Sequence, residues 1–155
     1  MVRVIDARGN LWTYPPKAPD ARVITTNGTV KKNGECVMGR GCALEAARRW
    51  PRFPLYLGQQ LLQCGNVVLD CGIWPSAGAP SERIVTFPVK HEWHQTADLD
   101  LIRKSAIDLV QLTGTMGWTT IVMPRPGCGN GHLDWAVVKP VLEAVLDDRF
   151  HVITF

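Results

Sequence analysis

Residues 119 to 135 read Thr-Thr-Ile-Val-Met-Pro-Arg-Pro-Gly-Cys-Gly-Asn-Gly-His-Leu-Asp-Trp. The stretch opens on a β-rich apolar run at 119 to 123 and passes through the turn Gly127-Cys128-Gly129-Asn130-Gly131. It then enters a helical pattern, with Val138, Val141, Leu142 and Val145 at the i, i+3, i+4, i+7 spacing of one helix face. A strand that feeds a glycine turn opening a helix leaves backbone N–H groups without intrahelical partners, at the end of the helix carrying about half a positive charge. Such a turn can hold an anion. The same series of parts occurs earlier in Gly34-Glu35-Cys36-Val37-Met38-Gly39-Arg40-Gly41, ahead of a helical pattern at 41 to 50 that Pro51 ends.

Neither turn is a standard nucleotide motif. The first has Arg40-Gly41 where a P-loop requires lysine followed by serine or threonine, so the hydroxyl that would bind Mg²⁺ is missing. The second has His132 where the last glycine of GxGxxG would stand, and it lacks the ribose-binding acid of a dinucleotide fold. Two backbone cradles remain, each able to take one phosphate through its amides, and together they suit a diphosphate. On spacing alone, glycines of this kind equally serve tight chain reversals.

Further apolar, β-rich runs lie at 2 to 6 (VRVID), 22 to 26 (RVITT), 66 to 71 (NVVLDC), 83 to 89 (RIVTFPV) and 151 to 155 (HVITF). With 119 to 123 they make six expected strands. Leu99, Ile102, Ala106, Leu109, Val110 and Thr113 trace another helix face, and 55 to 63 (LYLGQQLLQ) reads as a helix ending near Gly65. The proline-rich stretches 14 to 20 and 74 to 82 are expected to be surface loops. Strands alternating with helices predict an α/β fold, a three-layer α/β/α sandwich around a mixed sheet of roughly six strands.

The 155 residues fit one domain spanning 1–155, and 46% hydrophobic with 20% charged residues excludes a disordered chain. A net charge of +3 is too small for a general nucleic-acid coat, so any anion site must be local. Five cysteines with no CxxC pair point to reduced thiols. No apolar run approaches the length of a membrane span or the core of a secretory signal, and a cytoplasmic monomer without membrane contact is expected.

With these motifs in view, the chain resembles the macro domain, an ADP-ribose-binding α/β/α fold. Val37-Met38-Gly39-Arg40-Gly41 with Ala43 is similar to the family's VMGKGIA turn. Pro124 to Trp135 is similar to its P-x-x-GCGxGGLxW turn. Phe87-Pro88-Val89-Lys90-His91-Glu92-Trp93 resembles the FPTKxHW segment of the branch that holds DarG-type DNA ADP-ribosyl hydrolases and terminal ADP-ribose protein glycohydrolases. The resemblance implies an ADP-ribosyl hydrolase with ADP-ribose as ligand, ADP-ribosylated DNA or protein as partner, and no cofactor or metal. It further implies that Lys90 attacks the anomeric carbon of the distal ribose and that Asn10 and Leu11 meet adenine. Asn27 or Asn33 would meet the distal ribose. The two turns, Met38 to Gly41 and Pro126, Gly127, Cys128, Gly129, Asn130, Gly131, His132 with Trp135, would take the rest of the ligand.

The departures from the pattern matter as well. Asn10 replaces an aspartate, His132 replaces a glycine, and an acid that assists hydrolysis in protein-directed relatives would fall at Gly131, where none stands. Thr29-Val30-Lys31-Lys32 is an insertion. From the residues alone, Lys90 is also readable as a solvated charge beyond a strand, which would leave a non-catalytic ADP-ribose reader. A phosphatase acting on ADP-ribose 1''-phosphate is a third reading. Cys128 with His132 is a weaker candidate nucleophile pair, and the histidines at 91, 94, 132 and 151 lack zinc-ligand spacing. Trp93, Trp118 and Trp135 are candidates to stack a base, and Arg48, Arg49 and Arg52 either steer a polyanion or cap a helix end.

Overall fold

The turn at Gly127 to Gly131 follows a strand and precedes a helix, and so does the earlier one, each at the same edge of one sheet. A computed structural model describes residues 3–76 and 78–154; Met1, Val2, Ala77 and Phe155 lie outside the described residues, among them one end of the strand expected at 2 to 6 and one of that expected at 151 to 155. The elements are β1 (Ile5–Arg8), β2 (Ala21–Asn27), α1 (Gly41–Arg49), α2 (Phe53–Cys64), β3 (Leu69–Ser76), β4 (Ala79–Lys90), α3 (Leu99–Met116), β5 (Ile121–Pro124), α4 (Trp135–Glu143) and β6 (Phe150–Thr154). They form a mixed six-stranded sheet in the order β1-β6-β5-β2-β4-β3. Only the β3–β4 pair is antiparallel; the other neighbours run parallel.

Strand residues alternate between two cores, as a pleated strand requires. Val23, Val85, Phe87, Ile121, Met123 and Val152 pack on one face with Ile102, Ala106 and Leu109 of α3 and Val138 and Leu142 of α4. Ile24, Ile84, Val122 and Ile153 pack on the other with Ala43 and Ala46 of α1 and Phe53 and Leu57 of α2. The three-layer α/β/α sandwich expected from the sequence is therefore present. Helix ends follow local chemistry. Asp98 caps α3 by accepting from Asp100 N–H, Gly117 closes it in the left-handed conformation, and Pro54 sits in the first turn of α2.

One expected loop is a hairpin. Trp74 pairs with Glu82 and Ser76 with Ala79, within the stretch 74 to 82 whose prolines suggested surface loop. The prolines fit because β3 is the sheet's edge strand and β4 begins to pair with β2 only at Ile84, so neither Pro75 nor Pro80 removes a hydrogen bond from a doubly paired strand. Strand β3 likewise starts at Leu69 rather than at 66, and α4 begins at Trp135, close behind the glycine turn.

Five parallel strands point their carboxyl ends the same way. Gly9 after β1, Asn27 of β2, Lys90 of β4, Pro124 of β5 and Thr154 of β6 all line one cleft there. In open α/β sheets this edge is where ligands bind, next to the point where successive connections depart in opposite directions. Here that point is β2, with β4 on one side and β5 on the other.

Candidate functional site

The cleft has a volume of about 860 Å³, within the usual range of small-molecule sites. Its two walls are the glycine turns. They approach each other closely: a Cβ on Gly41 would come within 3.2 Å of Asn130 Nδ2. Gly41 is left-handed at φ 59°, and Gly127 at φ 76° is further confined because a Cβ there would fall 2.9 Å from Ile102 Cδ1. Gly39 and Gly129 differ, since a Cβ on either meets no atom within 4 Å.

The turns keep backbone donors free. The N–H groups of Gly39, Gly129, Asn130 and Gly131 have no partner among the described residues, while Leu133 N–H and His132 N–H close the second turn onto Gly127 and Gly129 carbonyls. Arg40 precedes α1 without a side-chain cap and no acid lies in that helix's first turn. Asp134 likewise leaves the start of α4 without a side-chain cap. Two uncapped helix N-termini and unpaired turn amides together make an electropositive cleft suited to a doubly phosphorylated ligand.

Lys90 ends β4 between the two turns. Its Nζ donates to the carbonyl of Asn130 at 3.0 Å and to that of Trp93 at 3.2 Å. Burial, and then the charge of Arg40, hold its pKa below the ordinary lysine value. The backbone that carries Lys90 is anchored too: Asn66 Nδ2 donates to the Lys90 carbonyl at 2.9 Å, and Gly28 N–H donates to that of His91 at 3.1 Å.

Of the residues singled out from sequence, Lys90, Leu11, Asn27, Met38, Gly39, Arg40, Gly41, Gly127, Cys128, Gly129, Asn130, Gly131, His132 and Trp135 line the cleft. Asn10, Asn33 and Pro126 do not. Asn10 Oδ1 accepts from Trp12 N–H at 2.8 Å, so the carbonyl expected to face adenine shapes its own turn. Asn33 is exposed and bonded to Glu35, because residues 30 to 36 close on themselves through a Val30–Cys36 bridge and carry it away from the cleft. Asn27 lines the cleft with both ends of its amide engaged, donating to Val37 O at 3.0 Å and accepting from Thr29 N–H at 2.9 Å. It ties β2 to the first turn. Pro126 is buried, and its carbonyl accepts from the Cys128 thiol at 3.5 Å.

The Cys128 thiol does not have the lowered pKa that a helix start can give; burial pushes it up, which disfavours a thiolate. Trp118 is buried beneath Arg83 and does not line the cleft. Arg49 packs over Trp12 at 4.6 Å, so that helix-end cation covers an aromatic ring. His91, His94 and His151 pair with Asp98, Glu92 and Tyr14 respectively.

Sequence reasoning missed several lining residues. Thr25, Thr26 and Cys42 line the floor, with Thr25 N–H and hydroxyl both at the Cys42 sulfur at 3.4 and 3.3 Å. Arg125 stacks over Trp135 at 4.7 Å and reaches Asp6 at 3.3 Å, with its Nε buried and unpartnered. Arg125 was legible as the residue following a strand's carboxyl end, the position where such sheets place their site residues.

Comparison with known proteins follows the same geometry. The family model described as Macro domain matches residues 31–142. A DNA ADP-ribosyl glycohydrolase of Mycobacterium tuberculosis (strain ATCC 25618 / H37Rv) is 31% identical over 106 residues, 66% of this chain and 30% of its own length. One of Thermus aquaticus (strain ATCC BAA-2747 / Y51MC23) is 31% identical over 147 residues, covering 90% of this chain and 37% of the relative. The chain thus spans 30% and 37% of the length of these curated relatives. Among solved structures, the macrodomain of Mycobacterium tuberculosis DarG superposes with a TM-score of 0.75 at 22% identity, covering 100% of this chain and 99% of that one. Among the described residues, no helix is long and apolar enough to cross a membrane.

Proposed function

The chain belongs to the macro domain family, and from that premise we propose that it binds ADP-ribose in the cleft and releases it from DNA with Lys90 as nucleophile. The observation that carries this reading is the position of Lys90 Nζ in the cleft that both glycine turns line, held by the carbonyl of Asn130 in the second turn and by that of Trp93. A diphosphate on the turn amides would bring a distal ribose to that amine. The curated relatives that the chain resembles are DNA ADP-ribosyl glycohydrolases, which supports DNA as the carrier. Such a substrate also suits the cytoplasmic setting expected from the sequence, and no cofactor enters the scheme.

In the proposed step the neutral amine keeps its two N–H bonds to the carbonyls and presents its lone pair to the anomeric carbon. A nitrogen–carbon bond forms as the bond to the acceptor breaks. The electron pair of the broken bond leaves with the acceptor, which takes up the proton that the amine sheds. Water then hydrolyses the sugar–lysine linkage, freeing ADP-ribose and restoring the amine. Partial burial and the neighbouring Arg40 favour the neutral amine this requires.

The two carbonyl acceptors also favour the ammonium form, and that observation supports a second reading, in which the same cleft binds ADP-ribose without cleaving. One experiment separates the two. Wild type and Lys90→Ala are incubated with an ADP-ribosylated oligonucleotide while calorimetry follows free ADP-ribose. Release by wild type that Lys90→Ala abolishes, with affinity for free ADP-ribose held within a few-fold, is the expected result. Binding without release by wild type establishes the reader, and release that survives in Lys90→Ala removes the lysine from the chemistry.

A further inference from the structure

Trp93 is the one exposed tryptophan of the six, at 51%, and it stands on the cleft wall beside the Lys90 amine. Core packing does not account for it. Its backbone is pinned on both sides of the residue: the N–H donates to Thr29 Oγ1 at 3.0 Å, and the carbonyl accepts from Lys90 Nζ at 3.2 Å. The indole meets the His94 ring nearly perpendicularly, at 87° with centroids 5.6 Å apart, and His94 is held in turn by Glu92 at 3.2 Å. A fixed backbone carrying a free, buttressed ring is a stacking platform that loses little entropy when a ligand lies on it.

The ring's position limits what it can meet. The acceptor is bonded to the carbon that Lys90 attacks, and Trp93 lines the same cleft as Lys90, so its exposed ring is within reach of an acceptor base. A flat nucleobase stacks on an indole whatever its edge pattern. A carboxylate or phosphate acceptor offers no flat aromatic face to stack on the ring. We propose that Trp93 is a specificity-determining residue that stacks the acceptor nucleobase of an ADP-ribosylated polynucleotide, selecting base-linked ADP-ribose over carboxylate- or phosphate-linked ADP-ribose. This rests on the cleft being an ADP-ribose site, as proposed above.

The test compares Trp93→Ala and Trp93→Phe with the parent chain on two probes: an oligonucleotide ADP-ribosylated on a base, and a peptide ADP-ribosylated on a glutamate. Both kcat/KM and, in a Lys90→Ala background that cannot turn over, Kd are measured. The preference for the base-linked over the carboxylate-linked probe is expected to fall about tenfold in Trp93→Ala, the size of one lost base–aromatic stack. Trp93→Phe is expected to restore most of it. Equal losses on both probes, an unchanged preference, or a parent chain that prefers the peptide each overturn the platform. The Kd comparison keeps the outcome separate from that of the glycohydrolase reading. A base preference in Kd that depends on Trp93, in a chain that releases nothing, upholds the platform while ending the claim to catalysis.

Discussion

Lys90 and Arg40 stand at the residue scale, where the proposed chemistry is a matter of one proton. Because burial and the Arg40 charge lower the Lys90 pKa, the neutral amine is populated at lower pH than for a solvated lysine. The rate with base-linked ADP-ribose should therefore rise with pH through a midpoint below 10.5, the ordinary lysine value. Arg40→Ala removes the second of the two causes. Its expected effect is to move the rising limb of the pH–rate profile to higher pH, and a limb that stays put or moves to lower pH contradicts the assignment of Lys90 as the titrating group. Individual residues were unevenly legible. Lys90 was visible through the motif around it. The ribose asparagine was ambiguous because Asn27 ends its strand while Asn33 has the family's spacing to Met38-Gly39, and the local closure of residues 30 to 36 carries Asn33 away from the cleft. The missing acid at Gly131 has a steric origin that no sequence pattern shows: a Cβ there would fall 2.5 Å from the Gly127 carbonyl oxygen. A side chain and this turn are incompatible. His132 at φ 63° tolerates a strained backbone that glycine would not feel.

Among elements, the loop after β1 shows what patterning leaves out. It carries Gly9 and Leu11 on the cleft wall, and it is held by Arg22, the second residue of β2. Arg22 is 3% exposed; its guanidinium donates to the Leu11 carbonyl at 2.6 Å and the Tyr14 carbonyl at 2.5 Å, and its Nε donates to Glu82 Oε2 at 2.8 Å. In the sequence, Arg22 was one polar residue at the start of RVITT, and Glu82 lay in a stretch whose prolines masked a hairpin. Sixty residues separate the partners, so neither local propensity nor hydrophobic period could join them. A buried ion pair contributes little net stability compared with a well-packed apolar substitute, but removing one partner strands the other. Glu82→Ala should thus cost roughly 3–5 kcal/mol in urea unfolding, the penalty of an uncompensated buried charge. Glu82→Gln, which keeps an acceptor for Nε, should cost less. Because the loop wall depends on Arg22, the same variants are expected to weaken ADP-ribose binding in calorimetry in the same order. A Glu82→Ala protein as stable as the parent would show that the pair is not the tether described. Apart from that hairpin, the strands and helices needed no such long-range information, since their alternation and 3.6-residue spacing were set locally.

For the whole molecule, the decisive feature is that segments far apart in the chain, 34 to 41 and 127 to 131, meet over β2 with their free amides on one cleft. Strand order produces this meeting: β4 and β5 flank β2, so the turns following β2 and β5 become neighbours although α1, α2, β3, β4, α3 and β5 intervene. Sequence reading supplied both turns and the α/β class; their juxtaposition required the crossover order, which composition and periodicity do not encode. A ligand that bridges the two turns binds only the folded chain, so it must raise the melting temperature by mass action. At a hundredfold excess over Kd the gain is about 2.7 kcal/mol. For a chain of this size that corresponds to a rise of roughly 5–10 °C. Gly129 makes the test specific to the cleft. Because a Cβ there meets no atom within 4 Å, Gly129→Phe leaves the packed turn intact while its ring enters the space a phosphate would take. Scanning fluorimetry of this variant should show a melting temperature near that of the parent and no rise with ADP-ribose. A full ADP-ribose shift in Gly129→Phe would mean that the ligand does not lie on the second turn, and the bridging geometry would be wrong.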